Sequence, residues 1–123
     1  MTNDESPKNF DLEERTAKFG EEIIKFCRKV PRSPINDPLV TQLTKCGTSV
    51  GANYCEADDA ESSDDFYHKI GICKKESRES KHFVRMLVVA IPELKDDARK
   101  LWQEAKELNL IFNSIYRKND KKK

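Results

Sequence analysis

The stretch "TSVGANYCEADDAESSDDF", Thr48 to Phe66, sets small residues, one asparagine and six acids between two regular helical patterns. It could be a catalytic loop, a metal site, or the end of one helix, a turn and the start of the next. Helix grammar accounts for most of it. Ser62 or Ser63 caps the helix that follows, and Asp65 stands three residues after Ser62 in a capping-box pattern. Asp64 and Asp65 also suit the positive end of a helix dipole.

Working outward, the same grammar divides the rest of the chain. Upstream, Leu39, Leu43, Cys46, Val50, Asn53 and Ala57 share one stripe of a helix reaching about Ala57. Asp37 followed by Pro38 reads as its start, an N-cap oxygen and then a residue preset for the first turn. A second stripe of that helix holds only small residues, Thr44, Gly47, Thr48, Gly51 and Cys55. Two glycines cost a helix about 2 kcal/mol relative to alanine, so close approach of another helix is expected there. Before "PRSPIND", a first helix from about Asp11 to Val30 carries Leu12, Thr16, Phe19, Ile23, Phe26 and Val30 at steps of four and three.

Downstream, Phe66, Ile70, Cys73, Ser77, Ser80, Val84, Leu87 and Ile91 form a third stripe, and Pro92 ends it. Its small, polar middle points to tight packing, with the glycine face of the second helix as the expected partner. A fourth helix from about Glu93 to Arg117 carries Leu94, Ala98, Leu101, Ala105, Leu108, Phe112 and Ile115. Four helices with short connections make an all-α, antiparallel up-down-up-down four-helix bundle. The domain is expected over residues 11–117, with a flexible N-terminus at 1–10 and a disordered basic tail at 118–123.

Composition fits this fold. The chain has 123 residues, 37% charged and 37% hydrophobic, with four Gly and five Pro. No apolar run reaches the roughly 18 residues of a membrane span, and "MTNDESPKNF" lacks the basic and apolar regions of a signal peptide. A cytoplasmic protein is expected. Cys27, Cys46, Cys55 and Cys73 are widely spaced, which suits buried free thiols better than a disulfide framework or a zinc site.

No catalytic centre emerges. A di-iron site needs Glu-x-x-His pairs on two helices, but Glu79–His82 and the imitation Asp65–His68 share one helix and use both histidines. Cys73 and His68 lack any mark of an oxyanion hole. The expectation is a non-enzyme with no metal and no cofactor. Asn53 and Glu56 break local rules: one is an amide on an apolar stripe, the other an acid near a helix C-terminus. They read either as a register-fixing hydrogen bond or as a ligand site.

Charge is uneven. The net charge is +1, yet His68 to Arg85 holds six Lys/Arg against two Glu, and the tail from Arg117 holds five bases against Asp120. Lys74, Arg78, Lys81 and Arg85 recur at steps of four and three, so with Lys75 they form a candidate phosphate-binding row. Trp102, Ile111 and Tyr116 flank the fourth helix's seam. With Gly47 and Gly51, Trp102 and Tyr116 make a candidate interface between subunits.

The segment Gln42 to Leu87 resembles the bacterial four-helix-bundle proteins encoded by intervening sequences in large-subunit ribosomal RNA genes. That family's pattern is a Thr/Ser-Ser-hydrophobe-x-x-Asn-hydrophobe-x-Glu-Gly helix end, a Ser-x-x-Asp-Phe helix start, then Lys-x-x-Glu-x-x-Glu. Thr48, Ser49, Val50, Asn53 and Glu56 match the first part. Ser62, Asp65 and Phe66 match the second, and Lys75-Glu76 and Glu79 the third. The family's glycine is Ala57 here, so a left-handed cap is expected to move to Asp58 or Asp59.

The resemblance covers about residues 10–118 and implies a homo-oligomeric ring, with a pentamer as the size it suggests. The chain is similar also to the accessory protein of diversity-generating retroelements, a basic pentamer that binds nucleic acid and a reverse transcriptase. The resemblance implies no enzymatic activity. Two functions follow as expectations: an oligomeric bundle binding RNA or other nucleic acid, DNA included, through basic helix faces, or an oligomeric scaffold for a protein partner. Charge reversal on the basic row separates them.

Overall fold

The four stripes become four helices in the computed structural model, which describes the backbone of residues 11–121 and the side chains of residues 11–119. They are α1 (Leu12–Arg28), α2 (Asn36–Asp58), α3 (Ser63–Ala90) and α4 (Lys95–Lys121), with a 3-10 turn at Pro92–Leu94. Cross-contacts fix the topology. Ile23 lies against Gly47 and Thr16 against Gly51; Ser80 meets Cys46 and Lys69 meets Glu56; Lys74 meets Tyr116 and Lys81 meets Trp102. In each pair of helices one number rises as the other falls, so neighbours run antiparallel, and α1 and α4 close the ring. The up-down-up-down bundle is the observed architecture.

The core is the set of predicted stripes. Phe19, Ile23, Leu43, Val50, Ile70, Val84, Leu87, Leu108 and Phe112 are almost wholly buried. Leu39, Phe66, Ile91, Leu94 and Ile115, at or near the stripe ends, are only partly covered. The small middle of α3 packs on the apolar stripe of α2 rather than its glycine face. Ser80 Oγ contacts Cys46 Sγ at 3.4 Å, and Cys73 Sγ donates to the Val50 carbonyl at 3.5 Å.

The glycine face belongs to α1. A Cβ on Gly47 would stand 2.8 and 2.9 Å from Ile23 Cγ1 and Cγ2, and one on Gly51 would stand 3.3 Å from Thr16 backbone atoms. These two glycines, expected between subunits, are therefore spent on packing within one chain. Gly20, opposite them on α1, is different: a Cβ there meets Thr48 and Gly47 at 3.6–3.8 Å, ordinary contact. Gly20→Ala should therefore raise stability by about 0.5–1 kcal/mol, seen as a later denaturation midpoint at unchanged slope.

The helix ends carry three corrections. Asp37 does not cap α2; the helix begins at Asn36, whose N–H donates to Ser33 Oγ at 2.9 Å. The Asp37 carboxylate instead reaches back to the Arg32 guanidinium and then the Ser33 N–H, which hold it below the usual carboxylate range. At the other end of α2 no left-handed cap forms, since no described residue has positive φ. Asp59 (φ −103°) and Ala60 close the helix by donating to the Cys55 and Ala57 carbonyls. Finally, α4 runs past Arg117 to Lys121, so that part of the expected disordered tail is helical. Residues 122–123 and the expected flexible N-terminus, 1–10, lie outside the described residues. Ser62, by contrast, caps α3 as expected, accepting from the Asp65 N–H at 3.1 Å.

All four cysteines are free thiols, three buried and Cys55 exposed. Burial pushes the Cys73 thiol up to about 12 and raises Cys27 and Cys46 as well. Iodoacetamide at about pH 8 should label Cys55 alone in the folded protein and all four after unfolding, read by mass. Because the folded thiol of Cys73 holds its proton longer than the unfolded one, stability should fall as pH rises from about 9 to 12.

Candidate nucleic-acid interface

Helical period alone puts Lys74, Arg78, Lys81 and Arg85 on one edge of α3, spanning about 16 Å at 1.5 Å per residue. Packing then decides what lies beside them, and it is α4. The facing edge of α4 carries Lys95, Arg99, Trp102, Lys106, Asn109, Asn113 and Tyr116, again at steps of four and three and without an acid. The two edges form one basic, aromatic face. This α4 edge was the part missed from sequence, although its spacing was the available signal.

Two shallow depressions lie along the face. One, of about 430 Å³, is lined by His68, Gly71, Ile72, Lys74, Lys75, Arg78 and Tyr116. The other, of about 320 Å³, includes Arg85, Val88, Lys95, Arg99 and Trp102. Lys74 Nζ sits 4.8 Å from the Tyr116 ring centroid, and Lys81 and Lys106 Nζ sit 5.4 and 5.6 Å from that of Trp102. Trp102 and Tyr116 are thus half-buried members of the basic face.

Ion pairing is denser around α1 than on this face, where Arg99 meets Asp96 at 3.8 Å. Around α1 most bases are matched, Arg28 and Lys100 apart: Arg15 grips Glu104 at 2.7 Å and Glu107 at 2.9 Å, Lys18 and Lys25 share Glu22, and Lys29 meets Asp97 at 2.9 Å. On α3, Lys69 is taken by Glu56. Among the described residues no carboxylate lies within ion-pair distance of Lys74, Lys75, Arg78, Lys81, Arg85 or Lys106. Five of the six come from the row expected on α3.

The motif residues Asn53, Glu56, Asp65, Phe66, Glu76 and Glu79 do not converge. Asn53 donates within its own helix to the Ser49 carbonyl at 2.9 Å, so it does not tie one helix to another. Glu56 joins α2 to α3 through Lys69 at 2.6 Å. Asp65 is exposed in the first turn of α3, and Phe66 packs edge-on against Tyr67 with centroids 5.1 Å apart. Glu76 is half-buried, its carboxyl raised by desolvation and then by Glu79. Asn53, Glu56, Asp65 and Phe66 lie about the α2–α3 turn, whereas Glu76 and Glu79 lie in mid-α3 near Cys46. Cys73 is buried in the core while His68 faces solvent, so they form no pair. Among the described residues no helix is long and apolar enough to cross a membrane, and no three His, Cys, Asp or Glu cluster as metal ligands.

Comparison with solved structures finds a Bacteroides thetaiotaomicron protein described as of unknown function, from the S23 ribosomal protein family. It superimposes with a TM-score of 0.74 at 24% identity, over 85% of this chain and 97% of its own. That likeness concerns the fold. Comparison with the curated proteins returns no significant match. The pattern of the 23S rRNA-intervening sequence protein family, however, matches residues 8–114, which takes in all of α1, α2 and α3 and most of α4. By that match the chain belongs to the 23S rRNA-intervening sequence protein family.

Proposed function

We propose that this protein is a non-enzymatic, homo-oligomeric bundle that binds RNA or another nucleic acid through the α3–α4 face. The observation that carries this reading is the contrast in pairing. Most bases around α1, Arg28 and Lys100 apart, sit against carboxylates, whereas the α3 row and Lys106 stand unmatched along one edge. Unmatched cations at helical spacing suit a phosphate chain, whose charge is dense and regular. Oligomerisation would multiply a modest single-face affinity. Exposed Ile24, Ile35, Val89 and Leu110 support self-association, taking the place of Gly47 and Gly51.

A protein-binding scaffold is the second reading, favoured by a groove of about 570 Å³ lined by Leu12, Tyr54, Leu110, Ile111 and Ile115. Binding to structured RNA and duplex DNA at about 50 and 200 mM salt, with the oligomeric mass recorded alongside, separates the two. Four phosphate contacts predict roughly a hundredfold loss of affinity across that range. An intact oligomer that binds neither nucleic acid at low salt overturns the first reading and leaves the second.

A further inference from the structure

The aromatic rings of the basic face invite a stacking role, since bases commonly stack on exposed tryptophan and tyrosine. Their surroundings argue otherwise. Lys81 and Lys106 both lie over the indole of Trp102, one from α3 and one from α4, so a single ring holds an ammonium from each helix. Tyr116 holds Lys74 in the same way. Gly71 makes room for it: a Cβ there would stand 3.0 Å from Tyr116 Cε1, so the ring lies directly on α3. Asn109 is occupied too, donating to the Lys74 carbonyl at 2.8 Å and towards Ser77 Oγ at 3.4 Å.

A flexible lysine loses rotamer freedom when it grips a phosphate, and an ammonium already held by a ring has lost part of it beforehand. Three such ammoniums on one face, two about Trp102 and one at Tyr116, make a prearranged set of cations. We propose that Trp102 and Tyr116 are positioning residues that hold Lys74, Lys81 and Lys106 for a phosphodiester backbone, so that the face takes the chain without regard to its bases. This rests on the nucleic-acid reading above and specifies what that site recognises.

The test uses the full chain, a single-stranded RNA and an abasic oligonucleotide of equal length. The wild-type protein should bind both within about threefold. Trp102→Leu and Tyr116→Leu should weaken both ligands equally, by roughly three- to tenfold, while Trp102→Phe and Tyr116→Phe keep most of the affinity. Trp102 is the only tryptophan, so its emission reports the contact directly and should change alike with either ligand. A stacked base would instead favour the RNA by roughly fivefold to a hundredfold and be lost selectively in the Leu variants, which overturns the proposal. Leu variants that bind both ligands like wild type overturn it as well. Should one variant lose its helical circular dichroism, the other reads the same question at the second ring. Wild-type protein that binds neither ligand defeats the nucleic-acid reading itself, a result distinct from the others.

Discussion

Reversing Lys74, Arg78, Lys81 and Arg85 to Glu should abolish RNA binding at about 50 mM salt, a loss of roughly a hundredfold or more. The expectation comes from the pairing pattern rather than from the number of charges. None of the four has a carboxylate partner among the described residues, so their removal breaks no ion pair. Only Lys74 and Lys81 make another polar-side-chain contact, each over an aromatic ring. Helical circular dichroism and the thermal midpoint should therefore stay close to wild type, and the loss can be assigned to the face.

The control is a second quadruple variant with the same change in net charge on α1 and its groove with α4: Lys18, Lys25, Arg28 and Lys100 to Glu. All four are exposed. If a general field recruited RNA, the two variants would fail alike, because long-range attraction depends on total charge. Contact along α3 predicts that the control loses only several-fold, and that single Lys→Ala changes on α3 each flatten the salt dependence by about one unit. A control variant as weak as the α3 variant would refute the assignment to this face. An α3 variant that still holds a protein partner while losing RNA would show both surfaces in use.

Period, caps and breakers made the fold readable in the sequence. Leu12, Thr16, Phe19, Ile23, Phe26 and their counterparts on the other helices recur at three- and four-residue steps because each helix has apolar surface to bury. Ser62 was readable as a cap because a hydroxyl before a helix start has one obvious donor within reach. Period says which residues share a face but not which neighbour receives it. Gly47 and Gly51 announced a close approach, yet only the assembled bundle shows α1 rather than a second subunit against them. Asp37 is a comparable case: its position suited a cap, but Arg32 and the Ser33 N–H compete for the same carboxylate and win.

The candidate site was half readable. The α3 row has a helical period of its own and could be found without neighbours. Whether its lysines are free depends on acids from other helices, and that requires the fold. Lys69 and Lys74 are only a few residues apart, but Glu56 of α2 neutralises one while the other lies over Tyr116 of α4. Asn53 shows the limit from the other direction. Its amide on an apolar stripe looked like a tie between helices, and it is satisfied by its own helix four residues back.

Gly47→Ala should lower stability by about 1–2 kcal/mol, although alanine is the better helix former by about 1 kcal/mol. The new Cβ would stand 2.8 and 2.9 Å from Ile23 Cγ1 and Cγ2 and 3.2 Å from its Cβ. Ile23 has no exposed surface into which to swing, and its branched Cβ is stiff at χ1 in a helix, so α1 and α2 must part instead. Parting them disturbs the neighbouring Thr16–Gly51 contact as well. The decisive measurement is a double-mutant cycle by chemical denaturation at fixed protein concentration, which keeps any oligomerisation constant. Ile23→Ala alone should cost about 2–5 kcal/mol through its cavity. In the Gly47→Ala background it should cost at least about 1 kcal/mol less, because the truncated side chain makes room for the added methyl. Additive effects would mean that the two residues do not press on each other, and that the helix propensity lost at Gly47 needs some other explanation than the close approach of α1.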